Sequence, residues 1–187
     1  MTYTPPPWIA LARASWTWRG AARPAFAVAP GPGQESVWDY PRPPIVVTDA
    51  RRVIVRCGAA IVADSRGAMR LLETSHPPTW YLPRADVDAA RIRPSSRAGS
   101  FCEWKGQASY LEVVGDDHEI AAAAWSYERP IDDAFTDLAG AVAFHATELE
   151  CTVDGERVRP QPGGFYGGWI TSELVGPWKG EPGSGGW

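Results

Sequence analysis

Only three cysteines occur in the 187 residues, Cys57, Cys102 and Cys151, far apart and odd in number. No CxxC pair is present, which argues against both a disulfide framework and a tetrahedral thiolate zinc site and points to a reducing compartment. Histidine is equally scarce: His76, His118 and His145 lack the i, i+2 or i, i+4 spacing that favours a shared metal ion. There is no basic block. The 18 Lys and Arg residues are scattered and the net charge is −4, so the electrostatic footprint of a nucleic-acid binder is missing. Long apolar runs are missing too. The stretch Trp8 to Ala12 is cut by Arg13, too short for a membrane span or a signal-peptide core. Neither a Walker loop nor a Rossmann glycine fingerprint occurs. The expectation is a cytoplasmic chain with no metal, no cofactor, and neither nucleic acid nor membrane as partner.

What is abundant is tryptophan, at ten residues, together with 18 prolines and 19 glycines. Proline and glycine at about a fifth of the chain exceed the usual roughly 12% and predict turns and short strands rather than long helices. An indole buries a large apolar face but keeps an N–H that needs a partner. Ten of them in one small domain predict that some line a pocket or the surface.

The strand signals start near Arg51. Residues 52–56 and 60–64 read as a hairpin around Cys57-Gly58, and residues 109–114 and 120–127 as another around Gly115 to His118. Residues 68–74, 79–82, 141–145 and 149–153 read as further strands, with Asp154-Gly155 as a hairpin turn. Residues 83–92 hold one short helix at most, and Asp132 caps a helical turn that ends at Gly140. About eight short strands predict a mainly β fold, an antiparallel sandwich or open barrel. The first 44 residues read as a Pro- and Trp-rich arm, in which Pro5-Pro6-Pro7 excludes helix. Residues 45–159 form the β domain, and 160–187 a Gly- and Trp-rich tail that packs on it.

Three clusters carry candidate chemistry. The first is Glu73-Thr74-Ser75-His76-Pro77-Pro78-Thr79-Trp80-Tyr81-Leu82-Pro83-Arg84-Ala85-Asp86, where Glu73 and Asp86 are candidate bases and Trp80 and Tyr81 candidate ligand contacts on opposite strand faces. The plainer reading is a tight turn with a solvated Glu73 and Asp86 capping the short helix. The second is Phe101-Cys102-Glu103-Trp104-Lys105-Gly106-Gln107-Ala108-Ser109-Tyr110. In extended chain Glu103 and Lys105 share a face, so the carboxylate keeps the lysine charged, and Lys105 beside Trp104 is suited to hold an anionic or carbonyl oxygen. Cys102 has no histidine signature and reads more simply as an inert thiol, and Lys105 alternatively as a surface pair with Glu103. The third is Ala124-Trp125-Ser126-Tyr127-Glu128-Arg129-Pro130, where Trp125 and Tyr127 share one face. With Trp104 and Tyr110 they would make an aromatic cage for a flat or cationic ligand, or they simply fill the core.

These three segments resemble the bacterial family known as domain of unknown function 427. Ser36-Val37-Trp38-Asp39-Tyr40-Pro41-Arg42-Pro43-Pro44 and the tail from Gly168 to Gly183 are similar to its longer actinobacterial members. The resemblance implies a β-tent-like fold, two antiparallel sheets meeting along one edge, with one or two short helices. Methionine-R-sulfoxide reductases and the drug-binding domain of cereblon share that architecture, with a small-ligand pocket and a zinc site built from paired CxxC motifs that this sequence lacks. A nucleotidyltransferase-like label also attaches to the family, but no Gly-Ser followed by a paired Asp-x-Asp is found here. His145 stands where an aromatic residue is expected.

Three functions compete. One is a small-molecule-binding module with an aromatic pocket also lined by Glu73 and Lys105. Another is a small enzyme of the transferase or hydrolase class using Glu73 or Asp86 with Lys105. The last is a protein-interaction module acting through the terminal arms.

Overall fold

Period-two alternation builds two antiparallel sheets in the computed structural model, which describes residues 6–187. The principal strands in chain order are β1 (Ile45–Asp49), β2 (Val53–Cys57), β3 (Ala60–Ser65), β4 (Ala68–Leu72), β5 (Thr79–Leu82), β6 (Ile92–Pro94), β7 (Ser109–Val114), β8 (Glu119–Ser126), β9 (Val142–Phe144), β10 (Glu150–Val153) and β11 (Glu156–Arg157). Seven of them form one sheet in the order β1-β4-β5-β9-β8-β7-β6, and the other four form a second in the order β11-β10-β2-β3. Every pairing in both sheets is antiparallel. The fold is mainly β, and neither sheet closes into a barrel.

The alternation sorts side chains onto two faces of the large sheet. On the inner face Trp80 and Leu82 of β5, Leu111 and Val113 of β7, Ala124 of β8 and Val142 and Phe144 of β9 meet Val53, Val55, Cys151 and Val153 from the small sheet. On the outer face Leu71, Tyr81, Tyr110, Trp125 and Ala143 form a second cluster, joined by Trp104, Tyr127, Phe135 and Leu138. A register shift between Leu111 and Val113 keeps both faces of β7 and β8 in phase, with Ala122 at φ 54° taking up the irregularity.

Two features depart from the sequence reading. The arm is not free of helix: α1 (Pro7–Ala14) starts on the last residue of the proline run. Proline is tolerated at the first helical position because the N–H it lacks would have no partner there. Met1 to Pro5 of the expected arm lie outside the described residues. Regular structure also begins earlier than Arg51, with β1 as an edge strand directly after Pro44. The segments 84–86, 89–91 and 133–138 are 3-10 turns, the last capped by the Asp132 side chain accepting from the Ala134 N–H.

Arm and tail are tied to each other and to the sheets. Glu35–Ser36 pairs in parallel with Leu174–Val175. Trp38 is fully buried, donates its indole N–H to the Pro177 carbonyl at 3.0 Å, and packs edge-on against Trp18, Phe26 and Trp187. Trp169 is inserted at the inner core, 6.1 Å from Trp80 between ring centroids, with its N–H on the Phe144 carbonyl.

Candidate functional site

A partly open cavity of about 190 Å³ lies on the outer face of the large sheet. A single water needs only roughly 10–15 Å³ on a comparable measure, so the space is ligand-sized. Its floor comes from the sheet: Leu71 at the end of β4, Thr79 and Tyr81 of β5, Tyr110 of β7, and Trp125 with Tyr127 from β8 and its exit. One wall is the two-residue hairpin Phe101–Cys102 with Gly106–Gln107, whose turn presents Glu103, Trp104 and Lys105. That turn depends on Gly106, at φ 94°, where a Cβ would come within 2.6 Å of the Ile131 side chain.

The opposite wall is the connection from Glu73 to Pro78. Ser75 takes a left-handed φ of 70°, held by its N–H on the Val37 carbonyl and by the Lys179 N–H on its own carbonyl. The Thr74 hydroxyl donates to the Tyr40 carbonyl at 2.6 Å. Arm and tail thereby fix the turn that carries Glu73 and His76. They also close the cavity with Trp16 from the arm and Gln161, Phe165, Tyr166 and Gly167 from the tail. Gly167 passes so close to Trp125 that a Cβ would collide with the indole ring.

The charged groups have distinct surroundings. Burial pushes the Glu73 carboxyl up, but His76, Lys105 and Arg42 outweigh it and hold the group below the ordinary carboxylate range. Arg42, with a fully buried side chain, donates its Nε to Glu73 Oε1 at 3.1 Å and its other nitrogens to the Trp18 and Thr74 carbonyls, and stacks 4.3 Å over Trp16. Burial lowers the proton affinity of His76, against the opposing pull of Glu73, so the ring is neutral near pH 7. Its Nδ1 lies 3.0 Å from the Thr74 carbonyl, which can only accept, so Nδ1 carries the proton and Nε2 is a lone-pair acceptor.

Lys105 is 6% exposed, with its ammonium 5.3 Å from the centre of the Tyr127 ring. Burial works against that charge, but Cys102, Tyr127, Tyr81 and Glu73 more than compensate, and the proton is held more firmly than in an ordinary lysine. Tyr81 and Tyr127 are pushed up, chiefly by burial, and stay as neutral phenols. His145, lowered by burial and by Arg97, lies 4.5 Å from Trp125 between ring centroids.

Of the residues singled out in the sequence, Glu73, Tyr81, Cys102, Trp104, Lys105, Tyr110, Trp125 and Tyr127 line this one cavity. Trp80 and Asp86 do not. Trp80 points the opposite way from Tyr81, into the inner core against Trp169, as the two-residue period requires. Asp86 sits in a 3-10 turn and accepts from the Ser65 hydroxyl at 2.6 Å. Glu103 and Lys105 are not an extended-strand pair, because both lie in the hairpin turn. Glu103 instead accepts from the Trp16 indole N–H at 2.9 Å, while Lys105 is buried. Sequence reasoning assigned no site role to Arg42, Trp16, His76, His145 or Tyr166. His76 carried the one available signal, its place between Glu73 and Pro77. The others come from arm, tail or a strand end brought in by long-range packing.

Among the described residues, no three His, Cys, Asp or Glu side chains come together in a way that could hold a metal ion. No described helix is long and apolar enough to cross a membrane. Residues 45–158 match the profile of a family described as a domain of unknown function (DUF427). The search of curated proteins gave no match. The matched span supplies the floor, the Glu73 turn and the Lys105 hairpin; Trp16, Arg42 and the 161–167 segment lie outside it.

Proposed function

The chain belongs to the DUF427 family, and we propose that its outer-face cavity binds a small, flat organic molecule, with Lys105 as the charge that anchors it. The observation that carries this reading is a buried ammonium turned to a ligand-sized, aromatic-walled space. The ammonium holds its proton and forms no ion pair among the described residues, so an anionic group of a ligand can supply one. The rings of Tyr81, Trp125 and Tyr127 offer faces and edges for a planar molecule: Tyr81 lies 6.4 Å from each of the other two. Lys105 works through its charge, since a nucleophilic amine must lose its proton and this one holds it.

An enzyme reading runs through the same groups. Glu73 and His76 are acceptors at neutral pH, and Asp86 is outside the cavity, so proton abstraction with Lys105 steadying the developing charge is the chemistry such an enzyme would have. For the interaction reading, the arm and tail aromatics Trp18, Phe26, Trp38 and Trp187 pack on one another, while Trp8, Phe26 and Phe165 stay exposed. The test is extraction of protein purified from its native host, followed by mass spectrometry of the released small molecules. A stoichiometric aromatic compound is expected. Protein that is free of small molecules and binds none from a host metabolite extract would refute the binding reading.

A further inference from the structure

The charges around the cavity discriminate between classes of ligand. Glu73 is matched by Arg42 at 3.1 Å and Asp132 by Arg13 at 3.3 Å, two pairs that cancel. Each Arg42 nitrogen already has a protein acceptor. Among the charged residues that line the cavity, that leaves Lys105 and Glu103. Glu103 is only partly buried and takes the Trp16 N–H. Lys105 is 6% exposed, and among the described residues it forms no ion pair. Its three N–H bonds are therefore open to an anion in the cavity. A monoanion suits the site better than a phosphate dianion. The second charge would sit near Glu73 and Glu103, while among the described residues Lys179 spends its N–H bonds on the Ser184, Gly185 and Trp187 carbonyls and Arg97 stands exposed over Tyr110.

The neutral histidine adds a second polar requirement. With Nδ1–H on the Thr74 carbonyl, His76 presents an acceptor and no donor, held edge-on to Tyr166 at 4.8 Å. We propose, resting on the binding reading above, that the ligand is a small aromatic carboxylic acid bearing a hydroxyl or N–H: its carboxylate on the Lys105 ammonium, its ring among Tyr81, Trp125 and Tyr127, and its donor on His76 Nε2. The matched residues 45–158 provide all of these groups, while Trp16 and Tyr166 limit the length of molecule that fits.

The experiment is calorimetric titration of the full chain with five probes: 4-hydroxyphenylacetate, 4-hydroxyphenylacetamide, tyramine, phenylacetate and phenyl phosphate. The expected result is that 4-hydroxyphenylacetate binds at least about tenfold tighter than the amide or the amine. Phenylacetate and phenyl phosphate should both be weaker than 4-hydroxyphenylacetate. In Lys105→Met the acid should lose its advantage over the amide. In His76→Phe the two acids should become equal. Should either variant fail to fold, the order of the wild-type affinities decides by itself. Amide or amine binding as tightly as the acid overturns the acid class and leaves the binding reading intact. Phenylacetate equal to 4-hydroxyphenylacetate overturns the role of His76, and phenyl phosphate tighter than phenylacetate overturns the monoanion. If none of the five binds and the co-purified molecule is not an aromatic carboxylic acid, the acid class alone falls. If none binds and nothing co-purifies, both readings fall.

Discussion

The two faces of the seven-stranded sheet are made by the same strands and differ in what closes them. The inner face meets a second sheet, and two pleated surfaces with alternating side chains interdigitate: Trp80, Leu82, Phe144, Val53 and Val55 are almost wholly excluded from water. The outer face meets a hairpin turn, a proline-bounded connection, an arm and a tail. Irregular backbone brings its own polar groups and cannot follow the pleat, so it leaves space and imports charge. Glu73, Lys105 and His76 all enter from such segments, while the sheet contributes mainly aromatic rings. Rigid regular structure thus supplies the walls, and the loops it holds supply the polar groups, a common division in binding sites.

Substitutions separate the two faces by size of effect. On the inner face, Trp80→Ala removes a ring packed on Trp169 and should cost about 3–5 kcal/mol in urea unfolding, with no specific loss of binding in the fraction that stays folded. Comparable destabilisation by Tyr127→Phe would erase the contrast, since that change removes only a hydroxyl at the cavity. Gly167→Ala comes next. Its Cβ has no room against Trp125, so the tail or the ring must shift, at about 1–3 kcal/mol, and probe affinity should fall along with stability. Unchanged melting and binding would mean that the tail does not close the cavity.

Lys105→Met should lower stability by at most about 1 kcal/mol, because a chain of similar length keeps the packing while the favourable pull of Glu73 on the ammonium is lost. A loss of several kcal/mol would show the ammonium to be a structural contact. The smallest effect is in pH. His76 and His145 bind protons less readily in the folded chain than at the ordinary imidazole value of about 6.5. The unfolded chain therefore takes up protons first as pH falls. The stability they lend is complete above about pH 6.5 and declines on acidification through their lowered folded values. The urea midpoint should drop between pH 7.5 and 5, less so in His76→Gln. A midpoint independent of pH across that interval would contradict their burial as neutral rings.

The sheet residues of the site were legible because the two-residue period writes faces directly: Trp125 and Tyr127 point one way with Ser126 between them, and Tyr81 points with them. The same period, applied to Trp80, places it inside, so its assignment to the site set the composition of a segment above its alternation. Asp86 was a candidate base as part of the same polar segment as Glu73, but the chain turns away after Pro83 and its carboxylate accepts from the Ser65 hydroxyl. Arg42 and Tyr166 were out of reach for a different reason. Arg42 pairs with Glu73 from 31 positions away and Tyr166 packs on His76 from far along the tail, and no local pattern encodes that closure. The helix at Pro7 was hidden by counting prolines without their position, since a proline that breaks a helix inside can begin one.

The ten indole N–H groups offer the most direct test of the outer-face site. In a ¹H–¹⁵N spectrum with those signals assigned, titration with 4-hydroxyphenylacetate should move the resonances of Trp16, Trp104 and Trp125, which line the cavity. It should leave those of Trp80 and Trp169 in the inner core in place. Saturable shifts confined to the outer set are the predicted result. Shifts of Trp80 and Trp169 with the outer signals unmoved, or no shift in any of the ten up to millimolar probe, would contradict the account.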